Sequence, residues 1–300
     1  MIPFKDITLA DRDTITAFTM KSDRRNCDLS FSNLCSWRFL YDTQFAVIDD
    51  FLVFKFWAGE QLAYMMPVGN GDLKAVLRKL IEDADKEKHN FCMLGVCSNM
   101  RADLEAILPE RFIFTEDRAY ADYIYLRSDL ATLKGKKFQA KRNHINRFRN
   151  TYPDYEYTPI TPDRIQECLD LEAEWCKVNN CDQQEGTGNE RRAHNFEALG
   201  LTGGILHVNG KIVAFTFGMP INHETFGVHV EKADTSIDGA YAMINYEFAN
   251  RIPEQYIYIN REEDLGIEGL RKAKLSYQPV TILEKYMACL KDHPMDMVRW

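Results

Sequence analysis

Apolar positions recur along the chain with periods of two and of three to four, and they lay out the same run of elements twice. In the first half, residues 45–48 and 51–57 read as strands around Asp49-Asp50, and 61–68 extends the sheet. Gly69-Asn-Gly-Asp72 breaks it, and a helix follows over 72–88 with Leu73, Val76, Leu77, Leu80 and Ile81 along one side. Residues 91–96 predict a strand, 100–108 a short helix, and 112–115 with 121–126 a closing hairpin. In the second half, 204–208 and 211–219 are strands joined by Asn209-Gly210, a strong hairpin signal. Residues 225–231 predict a third strand, 240–250 a helix, 256–260 a strand, 267–274 a short helix and 280–283 the start of a last strand. Between the halves, Thr161-Pro162-Asp163 opens a helix to about 178, 179–188 reads as a polar loop, and 190–199 as a helix.

Charge divides these halves unequally. Residues 1–150 hold 23 Lys/Arg against 21 Asp/Glu, and residues 151–300 hold 14 against 24, within a total of −8. The positive excess concentrates in Lys134–Arg149, which carries seven Lys/Arg, one His and no acid. Phe138, Ile145, Phe148 and Tyr152 form one stripe of a helix there, and Lys134, Lys137, Lys141 and His144 another. Like charges at that spacing repel, so a polyanion fits them: nucleotide phosphates, tRNA or a lipid headgroup. A solvated linking helix balanced by acids from the second half fits the same pattern.

The composition, 45% hydrophobic and 27% charged, is that of a globular protein and excludes a disordered or fibrous chain. No stretch approaches the ~18 apolar residues that span a bilayer. The N-terminus lacks the basic head and apolar run of a signal peptide, which leads to the expectation of a cytoplasmic protein. The eight cysteines (27, 35, 92, 97, 168, 176, 181 and 289) include no Cys-x-x-Cys, and the seven histidines no His-x-His. Reduced, mostly buried thiols and no metal are expected.

KGKKFQAKRNHINRF (134–148), GAYAMINYEFA (239–249) and NREEDLGIEGLRKAKLSY (260–277), followed by Pro279 and the LEKY of 283–286, resemble the C-terminal domain family of phosphatidylglycerol lysyltransferases. That family is related to the Fem-type aminoacyl transferases. The resemblance covers nearly the whole chain. It implies an α/β mixed-sheet fold of two tandem GNAT-like acyltransferase domains. It also implies aminoacyl transfer from aminoacyl-tRNA to a hydroxyl or amine acceptor, lipid-headgroup-like in the family. The family's lipid-modifying enzymes carry a large membrane domain ahead of this region. The expected division is 1–133 for the first domain, 134–152 for the basic linking helix and 153–300 for a second domain holding the active site.

Acyl transfer needs a held donor, a base for the acceptor, a donor for the carbonyl oxygen and a proton for the leaving group. In strand 225–231 simple alternation puts Thr225, Gly227, His229 and Glu231 on one face, with Gly227 opening space for substrate. His229 and Glu231 are thereby candidate catalytic groups. After the next strand, Asn260, Arg261, Glu262 and Asp264 suit recognition of a polar substrate, joined by Lys274. Asp264 is a candidate catalytic carboxylate and Tyr277 a candidate proton donor to the leaving group. Gly239 opens the helix where a GNAT fold binds pyrophosphate, although Ser236-Ile-Asp-Gly239-Ala-Tyr241 lacks the superfamily's Gln/Arg, and Tyr241 stands at its last small position. Lys137, Lys141, Arg142, Arg149 and Gly239 are the candidate donor-phosphate contacts, and Tyr241 a substrate contact. The first half is expected to be a structural or acceptor-binding copy. No tightly bound cofactor is expected; aminoacyl-tRNA or acyl-CoA would be the donor, and tRNA, CoA or a peripheral anionic lipid the partner. Two other functions fit the same residues: a CoA-dependent N-acyltransferase, and a non-catalytic polyanion-binding module.

Overall fold

A computed structural model describes residues 2–179 and 183–291, and they form two units, each around its own sheet. The first comprises residues 1–122, 263–267 and the chain from 282 on; the second comprises 123–262 and 268–281. The expected contiguous division at 133 and 152 is replaced by this interleaved one. The reason lies at residues 112–126. Phe112–Glu116 and Asp122–Leu126 are strands, as expected, but they do not form a hairpin. Asp117 accepts a hydrogen bond from the Ala119 N–H at 2.9 Å and starts a tight turn over Arg118–Tyr120. Phe112–Glu116 then pairs with Lys285–Leu290, and Asp122–Leu126 with Tyr258–Asn260. Both partners lie more than a hundred residues downstream, beyond the reach of a local pattern.

The sheet of the first unit runs Lys5–Asp6, Gln44–Ile48, Phe51–Ala58, Gln61–Tyr64, Cys92–Cys97, Lys285–Leu290, Phe112–Glu116. Helix Leu73–Lys86 packs on it. Asp72 caps the helix by accepting from the Ala75 N–H at 3.0 Å, and Val76, Leu77, Leu80 and Ile81 are buried, the stripe the spacing predicts. Register also places Cys289 opposite Cys92, and the two form a disulfide. Cys176 is disulfide-bonded as well, while Cys27, Cys35, Cys97 and Cys168 are free thiols. The expectation of uniformly reduced cysteines is corrected accordingly; Cys181 lies outside the described residues. The pairing of positions 92 and 289 comes from strand order, which spacing does not reveal.

From Asp122–Leu126, the sheet of the second unit runs on through Tyr258–Asn260, Thr225–Ala233, Lys211–Pro220, Thr202–Val208 and Glu156–Pro159. Asn209 and Gly210 both adopt positive φ in the predicted two-residue turn. Helices Gln139–Thr151 and Ala240–Arg251 share a core in which Phe138, Ile145 and Phe148 are buried against Met243 and Ile244. Gly239 lets them approach: at φ +84°, an added Cβ would sit 2.8 Å from the His144 carbonyl oxygen.

The expected loop over 179–188 is largely helix. Ile165–Asn179 and Gln183–His194 are helical, Phe196–Leu199 adds one further turn, and residues 180–182 lie outside the described residues. Beside Ala193, the second helix buries the polar side chains of Asn189 and Arg192. Asn189 donates to Glu172 at 2.6 Å and Arg192 to Asn189 at 2.6 Å, so its inner face carries no hydrophobic stripe to read.

Candidate active site

The second unit gathers a charged cluster around Glu231. This residue lies near the end of strand Thr225–Ala233, and Arg261 follows directly on the parallel neighbour Tyr258–Asn260. Glu231 Oε1 accepts from Arg261 Nη2 at 2.7 Å, and Oε2 accepts from Asn245 Nδ2 at 3.1 Å. Asn245 comes from helix Ala240–Arg251. The Arg261 guanidinium lies 4.6 Å from the centre of the Tyr277 ring and 5.5 Å from that of Tyr125. On the same Tyr277 ring Lys141 places its ammonium 3.8 Å from the centre. The Lys274 ammonium donates to the Arg261 carbonyl, and the Lys274 carbonyl accepts from the Tyr125 hydroxyl at 2.8 Å. These bonds fix the loop that carries Arg261.

Two buried atoms in this cluster lack a hydrogen-bond partner among the described residues: Arg261 Nη1, a donor, and Asn245 Oδ1, an acceptor. Both belong to groups already bonded to one carboxylate, so both are held in place. Leaving such groups unsatisfied costs about 1–3 kcal/mol each. Burial pushes the Tyr277 hydroxyl well above the ordinary phenol range, against the opposing pull of Arg261. Burial, reinforced by the Arg261 charge, brings Lys141 down to about 8.

His229 does not join this group. The register with the neighbouring strand skips there: Gly218 pairs with Val228 and Phe217 with Val230, leaving His229 as the extra residue of a β-bulge. The bulge breaks the alternation that was to align His229 with Glu231. Instead His229 Nδ1 lies 2.7 Å from Glu262 Oε1 with its side chain fully buried. Burial lowers its pKa, so the neutral ring donates Nδ1–H to Glu262. Gly227 opens no space, since a Cβ there would meet Ile221 and the His229 ring at 3.0–3.1 Å. Glu262 itself takes φ +59°, a strained conformation at the foot of the cluster.

The remaining candidates separate. Asn260 is buried and its Oδ1 accepts from the Glu262 N–H at 2.7 Å, shaping the loop. Asp264 lies in the first unit, wholly buried, holding Arg118 at 3.3 Å and accepting from the Gly266 N–H at 2.8 Å. Its two-residue offset from Glu262 is enough for the chain to have left the second unit. Tyr241 is half-buried, and burial pushes it to about 12, reinforced by Glu231 and Glu185. Most of the predicted phosphate contacts are engaged within the unit. Lys137 pairs with Asp129 at 2.8 Å, Arg142 donates to the Leu133 and Gly135 carbonyls, and Arg149 stacks on Tyr246. At the Gly239 helix start, Asp238 pairs with Arg147 at 2.6 Å, which supplies a carboxylate where a pyrophosphate would sit. Only Lys141 of that set joins the charged cluster.

Asn245 and Tyr125 were not singled out in the sequence. The available signal for Asn245 was an amide on the otherwise apolar face of Ala242, Met243, Ile244, Phe248 and Ala249. Tyr125 carried none, being one aromatic in a buried strand.

In the first unit Cys27, Asp122 and Glu263 offer metal-ligand atoms within 4.8 Å of one another. The cation among them is Lys285, whose ammonium lies 2.9 Å from Asp122 and 2.5 Å from Glu263. No helix among the described residues is long and apolar enough to cross a membrane.

Solved structures place this geometry among known folds. A conserved protein of unknown function from Bacteroides thetaiotaomicron is 98% identical, with TM-score 0.93 over 97% of this chain and 100% of that one. L-PGS from Bacillus licheniformis is 18% identical, with TM-score 0.65 over 95% of this chain and 93% of its own. A tandem GNAT protein from the clavulanic acid biosynthesis pathway is 11% identical, with TM-score 0.52 over 98% and 100%. The tandem GNAT-like α/β fold expected from the sequence is thus the fold observed. Among curated proteins, an uncharacterised protein of Mycoplasmoides gallisepticum is 23% identical over 175 residues. The chain spans about half of that relative's length, 55%. Residues 19–289 match the family model described as phosphatidylglycerol lysyltransferase, C-terminal, and the chain belongs to that family.

Proposed function

We propose that the second unit transfers an aminoacyl group from the ester of an aminoacyl-tRNA to a hydroxyl or amine acceptor. The observation that carries this reading is the pair of unsatisfied atoms beside Glu231, one donor and one acceptor. An α-aminoacyl ester offers the complementary pair. Its carbonyl oxygen accepts from Arg261 Nη1, and its amino group donates to Asn245 Oδ1 with Glu231 supplying the opposite charge. As the acceptor attacks the carbonyl carbon, charge grows on that oxygen and the guanidinium meets it. The new acyl bond forms, the ester bond to the terminal ribose oxygen breaks, and the acceptor's proton ends on that oxygen. The Lys141 amine receives that proton, Tyr277, held protonated, supplies one to the leaving oxygen, and the proton on Lys141 then restores the hydroxyl of Tyr277, whose ring it faces. The occupied helix start at Gly239 favours this donor over a CoA thioester.

Incubation with a panel of charged tRNAs and with acyl-CoA, against hydroxyl and amine acceptors, tests it. Labelled product from a charged tRNA is expected; label moving only from CoA thioesters would overturn the reading.

The proton-accepting role makes a pH prediction. Lys141 accepts only when neutral, so log kcat should rise with unit slope up to pH about 8 and level off above it. Lys141→Met should remove that limb together with most of the rate. Stability moves in the same direction. The unfolded lysine keeps its proton to about 10.4, so between pH 8 and that value the unfolded state binds more protons and folding gains with rising pH. An unchanged limb in Lys141→Met would assign the ionisation to another group.

A further inference from the structure

Strand Thr225–Ala233 grips two consecutive residues of the loop that carries Arg261. Glu231 accepts from the Arg261 guanidinium at 2.7 Å, and His229 donates to the Glu262 carboxylate at 2.7 Å. Strict alternation would turn 229 and 231 to one face; the bulge lets each meet a different residue. Gly227 makes room for the ring. It stands opposite Asn260 in the parallel register, and a Cβ on it would come within 3.1 Å of His229 Cε1. The backbone of the loop is held on both sides of the 261–262 peptide. The Arg261 N–H donates to the Tyr123 carbonyl at 3.0 Å, and the Arg261 carbonyl accepts from the Lys274 ammonium. The Glu262 N–H donates to Asn260 Oδ1 at 2.7 Å, and the Glu262 carbonyl accepts from the Tyr123 N–H at 3.1 Å. Glu262 sits at φ +59°, a conformation that a glutamate leaves unless its surroundings hold it. A fully buried histidine bonded to its carboxylate is such a hold.

We propose that the His229–Glu262 pair is a latch that aims Arg261, which makes His229 a positioning residue rather than a base. In the aminoacyl-transfer reading, on which this rests, Arg261 Nη1 meets the carbonyl oxygen of the donor. The latch fixes the peptide plane between 261 and 262, and with it the direction from which the guanidinium reaches Glu231. Released, Glu262 returns to a negative φ, that peptide tilts, and Nη1 loses its aim. A misplacement of about 1 Å is enough to cost about a hundredfold in rate.

Two readouts on the intact chain test the latch. Heteronuclear NMR of the Arg261 guanidinium, assigned by its loss in Arg261→Lys, reports how firmly the group is held with no substrate present. Turnover with a charged tRNA reports kcat and donor KM. Combining His229→Leu with Glu262→Gly removes both partners at once, strands neither, and relieves the positive φ, so the thermal melt should stay near that of the parent. In this variant the Arg261 signals should average, and kcat should fall about ten- to a hundredfold with donor KM nearly unchanged. Should it fail to fold, Glu262→Gly alone is read by the same signals. His229→Asn puts an amide N–H where the Nδ1–H stood, and should restore both the signals and the rate. Parent-like Arg261 signals or an unchanged kcat in the latchless variant would overturn the inference. So would a melt that falls in step with the rate while His229→Asn rescues nothing, because the pair would then be structural only. If the parent transfers nothing from any charged tRNA, the transfer reading falls, and the NMR comparison still decides whether the latch holds Arg261.

Discussion

Arg261→Lys should lower kcat for aminoacyl transfer by about 10²–10³-fold while leaving the fold intact and the donor KM nearly unchanged. The guanidinium does two jobs with two nitrogens: Nη2 holds Glu231 at 2.7 Å, and Nη1 is unpaired beside it. A lysine ammonium is a single point charge on a flexible stem. With the side chain at this position only 11% exposed and Glu231 beside it, that charge settles on the carboxylate, and the carbonyl oxygen loses its donor. Loss of one such donor accounts for the expected rate. The ion pair survives in this variant, so its thermal melt should stay within a few degrees of the parent. Arg261→Met behaves differently. It strands the Glu231 carboxylate and should cost about 3–5 kcal/mol of stability besides the activity. Single-turnover rates with thermal melts on both variants separate the two roles. Full activity in Arg261→Lys would remove Arg261 from the chemistry.

The elements were legible because each is local. Alternation found the strands, three-to-four spacing found Leu73–Lys86 and the buried stripe of Phe138, Ile145 and Phe148, and Asn209-Gly210 found its turn. The site was legible only in part. Glu231, Arg261, Tyr277 and Lys141 were all named, and Lys141, named as a phosphate contact, lies over the Tyr277 ring. Three features escaped for one physical reason, that pairing between distant strands leaves no trace in a local pattern. The bulge at His229 is an offset against the neighbouring strand, the false hairpin over 112–126 has its partners at 258–260 and 285–290, and Cys92 meets Cys289 across 197 residues. The unit to which Asp264 belongs was hidden for a related reason. The run from Asn260 looks like one loop in sequence, yet its residues divide between two units after Glu262.

Lys285→Met should destabilise the first unit by about 3–5 kcal/mol, the largest stability effect expected of a single substitution in that unit. The buried Lys285 ammonium lies 2.9 Å from Asp122, 2.5 Å from Glu263 and 3.3 Å from Asp28. These carboxylates come from three separate stretches of chain, so one cation ties the interleaved parts of the unit together. Burial alone would lower the Lys285 pKa; Asp122, Asp28, Cys27 and Glu263 outweigh it and hold the value well above the ordinary lysine range. Cys27, whose Sγ lies 3.3 Å from both Asp122 and Glu263, is pushed well up by burial and by those charges. Both shifts act in the same direction. The stability from Lys285 is complete below its unfolded value of about 10.4 and is lost as pH rises through the folded one. The Cys27 thiol stays protonated in the fold after the unfolded thiol has ionised, so folding also loses stability as pH climbs above about 8.5. The first unit should therefore weaken on the alkaline side, where the neutralisation of Lys141 strengthens the second. Removing the lysine charge at neutral pH takes from Asp28, Asp122 and Glu263 the ammonium that the three share. Adding Glu263→Gln to Lys285→Met should recover part of the loss, because it removes one of the repelling charges, whereas Glu263→Gln alone should destabilise mildly. Urea melts of the three variants at pH 7 decide the matter. A loss below about 1 kcal/mol in Lys285→Met would put the cluster in the range of solvated surface pairs, and the lysine would then hold nothing together.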